Sequence, residues 1–139
     1  MFNIQYTSEE DIPFWESMDP HLPKSELLIK ISEKRCYILS DDTTRIGILR
    51  YNLFWDLIPF LTLIYFDEPY RRKGFGRQAM LYWENEMRLL GYKLAMTSTM
   101  VEEDAQHFYR TLGYKDCGCL IKDFEPYVET MEMFMMKRL

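Results

Sequence analysis

A short basic and glycine-containing segment, Arg71-Arg72-Lys73-Gly74-Phe75-Gly76-Arg77, is the part of this sequence best suited to chemistry. Glycine allows the backbone to approach a ligand closely. A helix that starts there presents N–H groups without partners and the positive end of its dipole. Such a site suits anions, and phosphate above all. The segment therefore predicts a phosphate-binding loop, and a solvated turn before a helix is the alternative interpretation.

Two familiar phosphate-binding motifs fit this segment less well. The Walker A motif needs Gly-x-x-x-x-Gly-Lys-[Ser/Thr], and the sequence contains no such string. The dinucleotide fingerprint needs a third glycine, whereas Gly74 and Gly76 are followed by Ala79. No second βαβ unit is apparent around the segment, so neither motif is predicted.

The elements on either side of the segment are those that a phosphate loop requires. Residues 60–66 are almost wholly apolar, as a strand buried on both faces would be. From Ala79 to Leu90, apolar residues recur at steps of three and four, which predicts an amphipathic helix. Gly91 can take the left-handed turn that ends this helix. The sequence thus predicts a strand, a basic loop and a helix in that order.

The rest of the chain alternates between strand and helix patterns in the same way. No linker, repeat or low-complexity segment divides it, so we expect a single domain over residues 1–139. Strands alternating with helices favour a mixed α/β structure. Strands are predicted over 2–6, 36–39, 45–54, 60–66, 94–97, 114–121 and 130–138, and helices after residue 7 or 8, over 25–32, from 74 to 90 and over 101–112.

Two segments carry a resemblance to a known family. Arg71-x-x-Gly74-x-Gly76 after a strand resembles the Arg/Gln-x-x-Gly-x-Gly/Ala signature of the GNAT superfamily of acyl-CoA-dependent N-acetyltransferases. The segment from Ala105 to Tyr114, AQHFYRTLGY, is similar to the family's Ala-x-x-Phe-Tyr-x-x-x-Gly-Phe/Tyr pattern. The resemblance implies a central mixed, mostly antiparallel sheet of about six to seven strands, flanked by helices, with splayed fourth and fifth strands.

The same resemblance implies acetyl-CoA as the co-substrate and assigns it a binding site. Backbone N–H groups from Arg72 to Arg77 would hold the pyrophosphate, and the backbone of residues 64–66 would pair with the pantetheine arm. The thioester would lie between the fourth and fifth strands. The predicted cofactor-binding residues are Ile64, Tyr65, Phe66, Arg71, Arg72, Lys73, Gly74, Phe75, Gly76 and Arg77.

Tyr109 occupies the position of the family's general acid, which protonates the leaving thiolate. It also lies on an apolar stripe, so a purely structural place in the core is the alternative. Two departures from the family pattern matter: the first affects a contact with the cofactor, and the second leaves the general base open. Glu102 replaces an asparagine that relatives often have, and residues 60–62 lack the carboxylate that some relatives carry. Glu102, Glu103, Glu68, a water molecule or an already neutral amine remain as alternatives.

The acceptor is expected to be a primary amine on a small molecule or a peptide. In the family, acceptor pockets come from segments that correspond here to residues 15–24 and 121–129. Trp15, Glu16, Phe124 and Tyr127 would supply aromatic walls and a carboxylate for a cation, unless they are ordinary loop residues. A non-catalytic acyl-CoA-binding sensor is the alternative function.

Composition limits the remaining possibilities. The net charge of −5 does not suggest a nucleic-acid-binding protein. No stretch of about 20 apolar residues predicts a membrane span. Cys36, Cys117 and Cys119 are too few and too widely spaced for a disulfide framework or a metal site, and a reducing cytoplasm fits them best. The methionine-rich residues 131–136 could form a homodimer contact or part of the core.

Overall fold

The computed structural model describes all 139 residues, and its elements follow the predicted alternation. The strands are β1 (Phe2–Tyr6), β2 (Cys36–Asp41), β3 (Thr44–Phe54), β4 (Ile58–Phe66), β5 (Leu94–Met100), β6 (Lys115–Lys122) and β7 (Glu129–Arg138). The helices are α1 (Ile12–Met18), α2 (Lys24–Glu33), α3 (Phe75–Leu89) and α4 (Ala105–Thr111), with short 3-10 turns at Glu9–Asp11 and Glu68–Tyr70.

The strands form one seven-stranded sheet in the order β1-β2-β3-β4-β5-β7-β6. Its pairing is mostly antiparallel, and β4 and β5 run parallel. The predicted mixed, mostly antiparallel sheet flanked by helices is therefore confirmed. In the parallel pair Phe60 faces Met96 and Leu61 faces Thr97, whereas β5 pairs with β7 along its whole length.

The chain divides into two compact units, each built from separate stretches of sequence. The first comprises Met1–Asn52 and Thr62–Trp83, and the second comprises Leu53–Leu61 and Glu84–Leu139. Bulky apolar side chains of α1, α2, β2 and β3 pack together in the first unit, as burial of apolar surface requires. The fully buried members of this cluster are Trp15, Leu27, Cys36, Ile38 and Ile48.

In the first unit, both ends of α1 are bound to β3 by ion pairs. Asp11 precedes the helix and receives hydrogen bonds from Arg45 at 2.9 Å, and Asp19 follows the helix and receives one from Arg50 at 2.9 Å. Both carboxylates are buried, whereas Arg45 is more exposed than Arg50. The Asp19–Arg50 pair is therefore the one in which both partners are largely removed from water, and loss of Arg50 leaves the buried Asp19 carboxylate without a cation.

The second unit contains a buried ionic network. Glu84 of α3 is fully buried and accepts hydrogen bonds from the Tyr114 hydroxyl at 2.7 Å and the Lys137 ammonium at 2.8 Å. These two donors satisfy a charge that would be costly if it were buried alone. Burial, together with the neighbouring Glu84 carboxylate, raises the pKa of Tyr114 above its ordinary value. The network joins α3, β7 and the residue before β6.

Two details of the second unit concern the predicted helix over 101–112 and the methionine-rich strand. The prediction that a helix starts at residue 101 is wrong, because the Val101 N–H bonds to the Met131 carbonyl at 3.0 Å and α4 begins at Ala105. In β7, Met133 and Met135 are buried while Met131 is exposed. Alternate methionines therefore enter the core, as the period of a strand dictates.

None of the helices combines the length and apolar character that crossing a membrane would need.

We expect Arg50→Met to destabilise the protein by about 3 kcal/mol, because it leaves the buried Asp19 carboxylate without its partner. Urea unfolding followed by circular dichroism measures the effect. Arg35→Met is the matched control, since its pair with Glu33 is more exposed and should contribute less than about 1 kcal/mol. Equal losses of unfolding free energy in the two variants would show that burial of the Asp19–Arg50 pair does not increase its contribution to stability.

The cysteines should differ in reactivity. Cys36 is fully buried, and burial raises the pKa of its thiol to about 11, whereas Cys117 and Cys119 are exposed. Because the thiolate is the reactive form, an aromatic disulfide reagent should label Cys117 and Cys119 in the native protein and Cys36 only after unfolding. Mass spectrometry of the labelled peptides checks this, and rapid native labelling of Cys36 would contradict its place in the core.

Candidate functional site

The carboxyl end of β4 is held in place by backbone and side-chain contacts from both directions in the sequence. The Asp67 N–H bonds to the Ile46 carbonyl at 2.8 Å. Arg71 donates through Nε to the Phe66 carbonyl at 2.9 Å, and its guanidinium lies 5.0 Å from the centre of the Tyr65 ring. Arg71 therefore turns back toward the strand and positions the loop, in addition to carrying charge.

A close approach of β3 to β4 accompanies this arrangement. A Cβ atom on Gly47 would lie 2.6 Å from the Tyr65 carbonyl oxygen and 2.9 Å from Cδ1 of Phe66. No larger residue fits at this position without displacement of β4. The sequence signal was an isolated glycine within a strand pattern, which often marks a close backbone approach. The sequence prediction gave Gly47 no role.

Aromatic packing holds the first turn of α3. The Phe75 ring stacks on Phe2 with centroids 5.2 Å apart and on Phe66 at 6.3 Å. Phe75 therefore attaches the start of the helix to β1 and β4. Its ring is used in this packing, so its part in the predicted anion site is limited to its backbone N–H. Offset stacking of this kind adds roughly 0.5–1.5 kcal/mol beyond the buried area.

The loop backbone forms the concave arrangement of N–H groups that anions bind. Arg72 and Gly74 have positive φ values of 61° and 83°. The first helical hydrogen bond runs from the Gln78 N–H to the Gly74 carbonyl at 3.2 Å. The N–H groups of residues 75–77 therefore precede the ladder and lack intrahelical acceptors. Left-handed residues beside a helix start produce a nest of N–H donors, which fits a pyrophosphate group.

The cationic side chains around this nest are not neutralised. Arg72, Lys73 and Arg77 are exposed, and none forms an ion pair with a carboxylate. The Lys73 ammonium lies 5.8 Å from the centre of the Tyr70 ring, which leaves its charge available. In a chain of net charge −5, this local positive field favours an anionic ligand.

Tyr109 lies in the second unit, on α4, and is 7% exposed. Its ring meets Tyr114 edge to face at 5.8 Å, and its hydroxyl has a hydrogen-bonding contact with the Thr97 side chain. Thr97 in turn donates to the Leu61 carbonyl at 3.1 Å. The phenol is therefore beside the Leu61–Thr97 pair of β4 and β5.

The surroundings of Tyr109 keep it protonated. Burial raises the pKa of Tyr109, the contact with Thr97 opposes this rise, and the charges of Glu103 and Glu132 add to it. A phenol that stays protonated at neutral pH can act as a proton donor. Its burial equally fits the alternative of a core residue.

The other predicted site residues lie in different surroundings. Glu102 is exposed in the turn before α4 and accepts a hydrogen bond from the Thr130 hydroxyl at 3.0 Å. Phe124 and Tyr127 lie in the second unit, on the connection between β6 and β7, and are 80% and 72% exposed. Their exposure leaves them available for contact with a ligand.

In the first unit, Glu16 is exposed on α1 and lines a shallow depression with Pro20, Leu22 and Lys24. Trp15 differs, because the core encloses it completely and it offers no surface to an acceptor. The expected aromatic wall at this position is therefore a core side chain. Trp15 shares a helix face with Ile12 and Met18 at steps of three, and this is the face of α1 that packs on the core.

Comparisons with known proteins agree with these features. The model described as the acetyltransferase (GNAT) family matches residues 4–114. Ard1 from Thermoplasma volcanium has a similar structure, with a TM-score of 0.85 and 14% sequence identity over 99% of this chain and 97% of that chain. An N-acetyltransferase from Staphylococcus aureus gives 0.84 and 12%, over 99% of this chain and 97% of that chain.

A third similar structure is a GNAT family acetyltransferase from Elizabethkingia anophelis with acetyl-CoA bound, with a TM-score of 0.79 and 17% identity over 99% of this chain and 98% of that chain. A search among curated proteins found no match. At such identities the structural neighbours show the fold, and the family model, which spans most of the sequence, shows the family. The chain belongs to the GNAT family of acetyltransferases.

Proposed function

We propose that this protein is an N-acetyltransferase that transfers the acetyl group of acetyl-CoA to a primary amine by direct attack within a ternary complex. The observation that carries the proposal is the unpaired N–H nest at the start of α3 with its three cations free of carboxylate partners. The bound acetyl-CoA of the Elizabethkingia anophelis relative supports the choice of ligand. The amine acceptor follows from the family resemblance.

The first unit contains the residues that would hold acetyl-CoA. The N–H groups of residues 75–77 and the Gly74 turn would bind the pyrophosphate, with charge from Arg72, Lys73 and Arg77. The backbone of Ile64, Tyr65 and Phe66 would pair with the pantetheine arm as an added strand would. Acetyl-CoA supplies the thioester that makes the acetyl group transferable. Binding both substrates in order provides much of the rate gain through proximity.

The second unit contains the proposed proton donor. Tyr109 would donate its phenolic proton to the leaving thiolate, and burial together with the Thr97 contact holds that hydroxyl in one place. Glu102 is a weaker candidate for the base, because its carboxylate is exposed and already accepts a bond from Thr130. An amine that arrives neutral needs no such base.

A second candidate function is a sensor that binds acyl-CoA without catalysis. Glu102 stands where relatives often have asparagine, and Phe60-Leu61-Thr62 offers no carboxylate at the start of β4. Acetyl-CoA binding without turnover of any amine in a broad panel would favour this alternative.

We expect Gly74→Ala to weaken acetyl-CoA binding, measured by calorimetric titration with ATP and NAD as ligand controls. A side chain at φ 83° strains the turn by roughly 1–2 kcal/mol and so disturbs the backbone that presents the N–H groups. Gly91→Ala is the matched control, because Gly91 has φ 96° and equally open surroundings but lies after the end of α3. Absence of acetyl-CoA binding by folded wild-type protein would contradict the proposed function.

Tyr109→Phe should lower kcat by about 100-fold or more, because general acid catalysis contributes on the order of 10²–10⁴-fold. Its KM for acetyl-CoA should stay the same, since the ring that fills the core is kept. Tyr114→Phe, at the neighbouring buried tyrosine, is the control for loss of a buried hydroxyl. A Tyr109→Phe enzyme with wild-type kcat would reduce Tyr109 to a core residue.

A further inference from the structure

Glu132 is a half-buried carboxylate on β7 that the sequence analysis did not select. Its Oε2 accepts a hydrogen bond from the Ser98 hydroxyl at 2.8 Å. Its Oε1 lies 3.8 Å from the Lys122 ammonium, too far for a hydrogen bond. Lys122 makes its short contact, 2.7 Å, with Glu129 instead. One oxygen of this carboxylate is therefore fixed by Ser98, and the other has only the longer ionic contact with Lys122.

Glu132 is held beside the part of β5 that pairs with β4. Ser98 directly follows Thr97, which faces Leu61 in the parallel pairing of β4 and β5. Successive side chains of a strand point to opposite faces. Ser98 therefore holds Glu132 on one face of β5, and Thr97 meets Tyr109 on the other. A base or amine ligand and a proton donor placed on opposite faces suit attack from one side and departure of the thiolate toward the other.

Aromatic side chains share the face that carries Glu132. Phe134 lies two residues further along β7, a spacing that returns a side chain to the same face. The Phe60 ring meets Phe134 edge to face at 5.9 Å, and Phe54 stacks on Phe60 at 6.1 Å. All three rings are half-buried rather than enclosed. Ring faces beside a carboxylate attract an ammonium group and the apolar carbon chain that carries it.

We propose that Glu132 binds the ammonium group of the acceptor and takes the proton that this nitrogen loses before it attacks the thioester carbon, and that Phe54, Phe60 and Phe134 bind the apolar portion of the acceptor. This role rests on the proposed acetyl transfer, in which the N–C bond forms, the C–S bond breaks and Tyr109 protonates the leaving thiolate. The substrate class is a primary amine on an apolar or aromatic carbon chain. The ammonium would bind at the Glu132 oxygen that has only the longer contact with Lys122, and Ser98 fixes the carboxylate in place. No signal in the sequence marks Glu132, because it is a single charged residue within a methionine-rich strand.

The test is a calorimetric titration of the full chain with β-phenylethylamine, with and without CoA, and with benzyl alcohol as the uncharged control. Wild-type protein should bind the amine and not the alcohol. Glu132→Gln should weaken amine binding at least about tenfold, since a charge-assisted hydrogen bond is lost, and CoA binding should not change. Ser98→Ala, which releases the carboxylate, should shift amine affinity in the same direction.

Two control variants separate substrate binding from the structural contacts of Glu132. Glu129→Gln and Lys122→Gln alter the same ionic group but leave the Glu132 carboxylate and its bond to Ser98 in place. Because Lys122→Gln only removes a cation that competes for Glu132, amine affinity should not fall in either variant. The inference is overturned if wild-type protein does not bind the amine, if Glu132→Gln binds it normally, or if Lys122→Gln reproduces the loss. Failure of wild-type protein to bind CoA would count against the proposed function instead, and the titration without CoA would still decide the role of Glu132.

Discussion

The peptide N–H groups at the start of α3 are the feature on which the rest of the first unit depends. Helical geometry leaves them without backbone acceptors, and no protein group takes their place. A nest of this kind binds an anion only if its donors are held in position before the ligand arrives. Phe75 stacked on Phe2 and Phe66, and Arg71 bonded to the Phe66 carbonyl, provide that rigidity. Arg72 has a positive φ, which is strained for a residue other than glycine, and this strain accompanies the loop geometry.

Charges in the chain are divided between structural and functional use. The buried carboxylates Asp11, Asp19 and Glu84 each have a cationic partner, which offsets the cost of removing them from water. Arg72 and Lys73 have none. Because paired charges contribute little field at a distance, the unpaired cations of the loop dominate the local potential although the net charge is negative.

Strand β5 illustrates how one element serves two chemical purposes in the second unit. Side chains alternate across a strand, so Thr97 and Ser98 point to opposite faces. One contacts the proposed acid Tyr109, and the other holds the carboxylate of Glu132. The same alternation in β7 sends Met133 and Met135 into the core and places Glu132 and Phe134 on the other face. The methionine-rich stretch therefore combines core packing with a polar surface.

The sequence by itself determined the sheet class, the basic loop at the start of α3 and the position of Tyr109, because these depend on contiguous residues. A glycine-containing turn, a helix start and an apolar stripe are encoded by neighbours in the chain. Tertiary structure decided the features that arise when distant segments meet. It enclosed Trp15 in the core, turned Arg71 back onto β4 and required glycine at position 47. It moved the start of the predicted helix from residue 101 to Ala105, because Val101 bonds to Met131. It also brought Ser98 to Glu132 across 34 residues of sequence. Such contacts follow from strand register, and register is set by pairing with remote strands rather than by local composition.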